Sequence, residues 1–148
     1  MLQIEEVLNA SPLVFPVLEC FHIAGFVTAI GTTAVVDFRL LGWGMGKQTP
    51  AQLAKDMFPW MLGGLLVAIF SGLGLYSSDP DMYYLNWSFL IKMACLVAAI
   101  VFNFTIHRKV AKAEETSGGA KAVALISLVL WSSIIFGGIF IAFINTGL

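Results

Sequence analysis

Four long apolar runs separated by short polar segments organise this chain: roughly Pro12–Val36, Trp60–Ser78, Leu85–Ile106 and Ala122–Ile144. Each is close to the ~20 residues a helix needs to cross a hydrocarbon core. Local signals mark the ends. Ser11-Pro12 reads as an N-cap followed by proline at the first helical position, where the missing N–H does no harm. Thr49-Pro50 starts a polar helical stretch that Pro59 is expected to kink as it enters the second run. Asp79-Pro80-Asp81 reads as a tight turn, and Gly118-Gly119 closes the linker before the fourth run. Residues 1–10 are expected to form a short helix on the membrane surface. The pattern predicts an all-α integral membrane protein: one domain over residues 1–148, folded as an up-down bundle of four transmembrane helices.

Composition agrees with this reading. Hydrophobic residues make up 59% of the chain and charged residues 11%, against about 25% charged in soluble domains, and the mean hydropathy is +0.89. The lipid bilayer is the expected environment, and no nucleic-acid partner is expected. The first residues lack the basic region of a signal peptide, so the first run is expected to stay in the mature protein. Cys20 and Cys95 fall inside apolar runs and read as small buried residues rather than a disulfide. Charge distribution adds orientation. Arg39, Lys47 and Lys55 lie between runs one and two, and Arg108, Lys109, Lys112 and Lys121 lie between runs three and four. The tails and the Ser77–Tyr84 turn carry no Lys or Arg. The positive-inside rule then puts both loops in the cytoplasm and both termini outside, in the periplasm.

Three ionisable residues break the apolar pattern: Glu19 and His22 in run one and Lys92 in run three. A charge at the bilayer centre costs roughly 2.5–3.5 kcal/mol on insertion scales, so such residues persist mainly where something uses them. At about 100° per residue, Glu19, His22, Phe26, Thr33 and Asp37 share a face of the first helix. Lys92, Cys95, Ala99, Asn103 and His107 form a wider stripe on the third. Runs one and three are diagonal in an up-down bundle and both face its core. Equal steps from the outer ends predict a Glu19–Lys92 pair in the outer half, with His22 beside it. They also predict an Asp37–His107/Arg108 pair at the inner headgroup boundary, where water and lipid phosphate can satisfy it. Small residues at Gly64, Ala68 and Gly72, and at Gly25 and Ala29, read as ridges for close helix approach, and Gly137-Gly138 thins the fourth run.

His22 has three readings: a haem or metal ligand, a proton-relay or quinone-contacting group beside Glu19, or a hydrogen-bonded core histidine. Glu19-x-x-His22 has the spacing that places a carboxylate and an imidazole on one helical face, as in carboxylate-bridged metal bundles, but the second such motif is absent. His107 lies about a dozen residues deeper, on the order of 18 Å at 1.5 Å per residue, too far to share an iron with His22. A haem on His22 would then take Met93 or Cys95 as a second ligand, stay five-coordinate, or use His22 of a second parallel copy.

Glu19-x-x-His22, Gly25, Gly31 and Asp37-Phe38-Arg39-Leu40-Leu41-Gly42 resemble an uncharacterised family of small four-span bacterial inner-membrane proteins. More distantly the chain is similar to the membrane domain of copper resistance protein D and to four-helix cytochrome b proteins. The resemblance covers most of the chain in topology and residues 19–42 by motif. It implies the bacterial cytoplasmic (inner) membrane and the handling of haem b or copper, although the methionine-rich segments of a copper conduit are missing.

These readings lead to an expected redox protein that binds a b-type haem or a quinone in the outer half of the bundle. It would pass electrons between the quinone pool and periplasmic partners. His22 is the main contact and the expected metal ligand, Glu19 orients it, Lys92 neutralises a carboxylate, and Met93 is a further candidate ligand. Asp37, His107 and Arg108 form a secondary polar cluster. The alternatives are transport of a metal ion or small solute, and a non-catalytic anchor or assembly subunit. A homodimer or a redox complex would supply the protein partners. With no nucleophile–base arrangement, P-loop or dinucleotide fingerprint, a self-contained enzyme is not expected.

Overall fold

The computed structural model describes Leu8, residues 11–113 and residues 118–143. The surface helix expected within residues 1–10 lies outside the described residues, Leu8 apart, and so does Ile144, the expected end of the fourth run. Every regular element among the described residues is helical. In chain order they are α1 (Val14–Leu41), α2 (Pro50–Ser78), the short α3 (Pro80–Tyr84), α4 (Trp87–Phe102), α5 (Arg108–Ala111) and α6 (Ala120–Phe140). Between α4 and α5 the chain widens into a π-helical turn over Asn103–His107, so the two form one rod from Trp87 to Ala111. Four helices are thus long and apolar enough to cross a membrane: α1, α2, the α4–α5 rod and α6.

The helix ends follow local chemistry. α1 begins two residues after Pro12, because Ser11 spends its backbone carbonyl on the Val14 N–H and provides no side-chain cap to the helix. α1 ends at Gly42, whose φ of 89° only glycine adopts without strain, and the Trp43 N–H returns to the Phe38 carbonyl at 2.8 Å. Thr49 and Gln52 form a reciprocal capping box at the start of α2. This makes α2 continuous from Pro50 through Pro59, ten residues longer than the apolar run alone. Asp79 caps α3 instead of closing a bare turn, accepting from the Met82 N–H at 3.2 Å. Asn86 caps α4 with its oxygen and donates from Nδ2 to the Ile141 carbonyl, tying α4 to the end of α6.

Packing is antiparallel and uneven. α1 lies closest to α2 and also touches α6, α4 packs on α6, and α5 closes back on α2. α1 and α4 are therefore diagonal, as the sequence predicts. The small residues do what their spacing implies: a Cβ on Gly25 would stand 2.7 Å from the Gly64 carbonyl oxygen and 2.7 Å from the Ala68 nitrogen. A central apolar layer of Ala29, Met61, Leu65, Leu96, Ala99, Trp131 and Ile134 fills the middle of the bundle. A second layer with Val36, Leu40, Leu53, Ala111, Ala120 and Ala124 fills the end that carries the basic loops. Side chains such as Val27, Phe70, Val97 and Val129 are exposed, as lipid-facing residues must be.

Candidate functional site

Two polar clusters sit on the α1–α4 diagonal, one on each side of the central apolar layer. The first is built on His22. Its Nδ1 lies 2.8 Å from the Ala68 carbonyl oxygen. A carbonyl only accepts, so Nδ1 carries the proton and Nε2 presents its lone pair to the interior. Ser71 Oγ, 3.3 Å from the same Nδ1, offers that proton a second acceptor. Nε2 faces Lys92 Nζ at 3.5 Å. Phe26 meets the imidazole edge-on at 4.9 Å, and Lys92 Nζ stands 5.3 Å from the centre of the Phe26 ring.

Glycines make room for this pair. A Cβ on Gly72 would lie 2.7 Å from His22 Cε1, one on Gly137 would lie 3.1 Å from Lys92 Cβ, and one on Gly138 would lie 3.4 Å from Lys92 Nζ. Their spacing alone reads as helix packing, and nothing in the sequence ties them to His22 and Lys92. Gly72→Ala is expected to push the imidazole off the Ala68 carbonyl while leaving the α1–α2 contact at Gly25 and Gly64 in place. The check is the histidine ring resonances: His22 shifts, His107 does not, and the melting temperature moves by a few degrees at most. An unshifted His22 ring would contradict the crowding.

The expected Glu19–Lys92 ion pair does not form: among the described residues the one carboxylate–cation contact within 4.0 Å is Asp37–His107. Glu19 is exposed, and its carboxylate, after burial and Asp79, helps hold the Tyr83 phenol above its usual range. Ala68 and Ser71, rather than Glu19, orient the imidazole. Met93 is 39% exposed. Cys95 packs at the edge of the central layer.

The second cluster centres on Asp37, which is fully buried. His107 donates from Nε2 to Asp37 Oδ1 at 2.7 Å, and Ser127 donates to Oδ2 at 2.8 Å. Asp37 and His107 thus meet as the stripe predicts, and both are buried where the rod α4–α5 and α6 close over them. Arg108 takes no part in the pair; its guanidinium carbon lies 4.1 Å from the centre of the Phe58 ring. Ser127 carries no sequence signal beyond being a serine in an apolar run.

The two clusters cannot cooperate on one iron: His22 and His107 lie on opposite sides of the apolar layer. Among the described residues, no three His, Cys, Asp or Glu side chains converge as a metal site. His22 does hold Nδ1–H against a backbone carbonyl, as metal-ligating histidines do, but Lys92 Nζ lies 3.5 Å from its free Nε2.

The profile of a family of unknown function (DUF6644) matches residues 15–144. The chain belongs to that family. No curated protein and no solved structure matches it. The stretch matched to DUF6644 contains both polar clusters, from His22 to Ser127.

Proposed function

We propose that this is a redox protein of the bacterial inner membrane whose outer-half site binds a quinone headgroup beside Lys92 and His22. One observation carries the reading. Lys92 is a half-buried cation inside a membrane span, and its polar neighbour among the described residues is a neutral imidazole nitrogen rather than a carboxylate. A cation so placed calls for an acceptor from outside the chain. A quinone carbonyl meets that need and asks for no second axial ligand and no removal of Lys92 from His22.

Each residue then has a role. Lys92 donates to the carbonyl oxygen and offsets the negative charge that builds there on reduction. His22, held by Ala68 and Ser71, exchanges the proton at Nε2. Glu19, about one turn towards the surface and exposed, passes that proton to the aqueous side. Reduction of the quinone to the quinol takes two electrons from a docked redox protein and two protons; oxidation returns both. The basic loops support an orientation with the other end, and this site, on the periplasmic side. A haem on His22 is the second reading, supported by the Nδ1–H contact, and would use His22 of a second copy as its other ligand.

Protein purified into lipid nanodiscs from quinone-replete cells is expected to retain quinone on solvent extraction. Lys92→Met is expected to weaken that binding about 10- to 100-fold, the equivalent of a charge-assisted hydrogen bond worth roughly 1.5–3 kcal/mol. A wild-type preparation that neither retains nor takes up quinone would refute the assignment. A Soret band lost in His22→Ala would transfer the site to haem.

A further inference from the structure

A small cavity of about 30 Å³ lies beside the second cluster, at the end carrying the basic loops. Its polar lining is Thr32, Thr33, Asn103, His107 and Arg108. A void needs about 10–15 Å³ by this measure to hold a water, and the water needs polar partners. Both conditions are met. Asn103 is 6% exposed and lines the cavity, and its side-chain amide has no hydrogen-bond partner among the described residues. His107 spends Nε2 on Asp37, and its Nδ1 likewise has no hydrogen-bond partner among the described residues. The π-helical turn runs from Asn103 to His107, bringing both inward; such turns recur at functional sites.

We propose that this cavity is a hydrated proton-exchange site, in which water held by Asn103 and His107 Nδ1 connects the buried Asp37–His107 pair with the aqueous phase at the basic end. The ligand is water and the proton it carries. His107 is the bridge: one ring nitrogen faces the water and the other faces Asp37 Oδ1, so a proton taken at Nδ1 is matched by one handed from Nε2 to the carboxylate. Ser127 holds the far carboxylate oxygen. Beyond it the central apolar layer bars further passage, and His22 lies roughly 22 Å away along α1 at about 1.5 Å per residue. The inner site therefore loads a proton from the basic side and is independent of the quinone reading. The groups facing the pair are few. α2 gives the cavity wall Ala54, Met57, Phe58 and Met61, none titratable. α6 gives Ser127, and Arg108 supplies the positive charge in the lining.

The chain has two histidines, so 15N-histidine labelling in nanodiscs gives two ring systems, assigned with His107→Gln. In the wild type the His107 ring N–H is expected to show water-exchange cross-peaks and to vanish within minutes of transfer to D2O. Asn103→Leu, which replaces the amide with an apolar side chain of similar size, is expected to slow that decay at least tenfold. Thr33→Val, which exchanges a hydroxyl for a methyl in the same wall, serves if Asn103→Leu does not fold. A wild-type His107 ring N–H that survives for hours in D2O would overturn the proposal, as would unchanged exchange in a folded wall variant.

Discussion

Gly64→Val is expected to abolish stable folding, whereas Gly63→Ala next to it is expected to be tolerated or mildly stabilising. A Cβ on Gly64 would stand 2.7 Å from the Gly25 carbonyl oxygen, 2.8 Å from the Ala29 nitrogen and 2.9 Å from Thr28 Cβ, whereas a Cβ on Gly63 meets nothing within 4 Å. The atoms facing Gly64 are backbone or the stiff root of a β-branched side chain, so no rotamer change relieves the clash. α1 and α2 must separate instead, and theirs is the most extensive helix contact among the described residues. In a bilayer, close packing of small residues is itself a main source of helix association, since lipid is as apolar as a leucine. Overpacking costs typically 1–3 kcal/mol where side chains can adjust; against backbone the penalty is about 3 kcal/mol or more. At Gly63 the helix gains roughly 0.5–1 kcal/mol from replacing glycine by alanine. Monodisperse yield and the unfolding midpoint in mixed micelles would separate the two variants. A Gly64→Val protein with wild-type yield and midpoint would disprove the close approach.

The same contact marks how far the sequence can be read. Apolar run length gave the four spans, and four-residue spacing of small residues gave the Gly25/Ala29 and Gly64/Ala68 interface, because both depend on properties local to a helix. Depth along a helix was also readable: Asp37 and His107 do meet across the diagonal. Azimuth was not. Glu19 and His22 are three residues apart, about 300° of rotation, so a 60° offset leaves His22 inside and Glu19 on the exposed surface. Lys92 reaches His22 only because Gly137 and Gly138 on another helix leave room for its stem. The π-helical turn had no signal, since Asn103-Phe104-Thr105-Ile106-His107 reads as ordinary helix. Ser127 looked no different from Ser132 or Ser133, yet Ser132 is exposed and Ser133 bonds its own helix at Val129. Polar residues without charge reveal their partners only once the helices are docked.

Asp37→Leu and His107→Leu are each expected to destabilise the bundle by about 3–5 kcal/mol, while the double variant recovers most of that loss. The carboxylate is fully buried and receives two hydrogen bonds, from His107 and Ser127. Removing His107 strands a charged or protonated carboxyl with one donor; removing Asp37 leaves both the imidazole Nε2–H and the serine hydroxyl without an acceptor. Either way a buried polar group loses its partner, and breaking a buried pair from one side costs about 3–5 kcal/mol, whereas replacing both members by apolar residues is often neutral. Ser127 sets the remaining penalty: in the double variant its hydroxyl can turn to the carbonyl four residues back in its own helix, as Ser133 does to Val129. A cycle of unfolding midpoints over wild type, both singles and the double would measure the coupling. Additive losses in the double variant would mean that the two side chains do not depend on each other, and the pair would then have no role in holding α1 to the α4–α5 rod. Strong coupling together with loss of proton exchange at His107 would join the structural and the proton-loading roles in the same two residues.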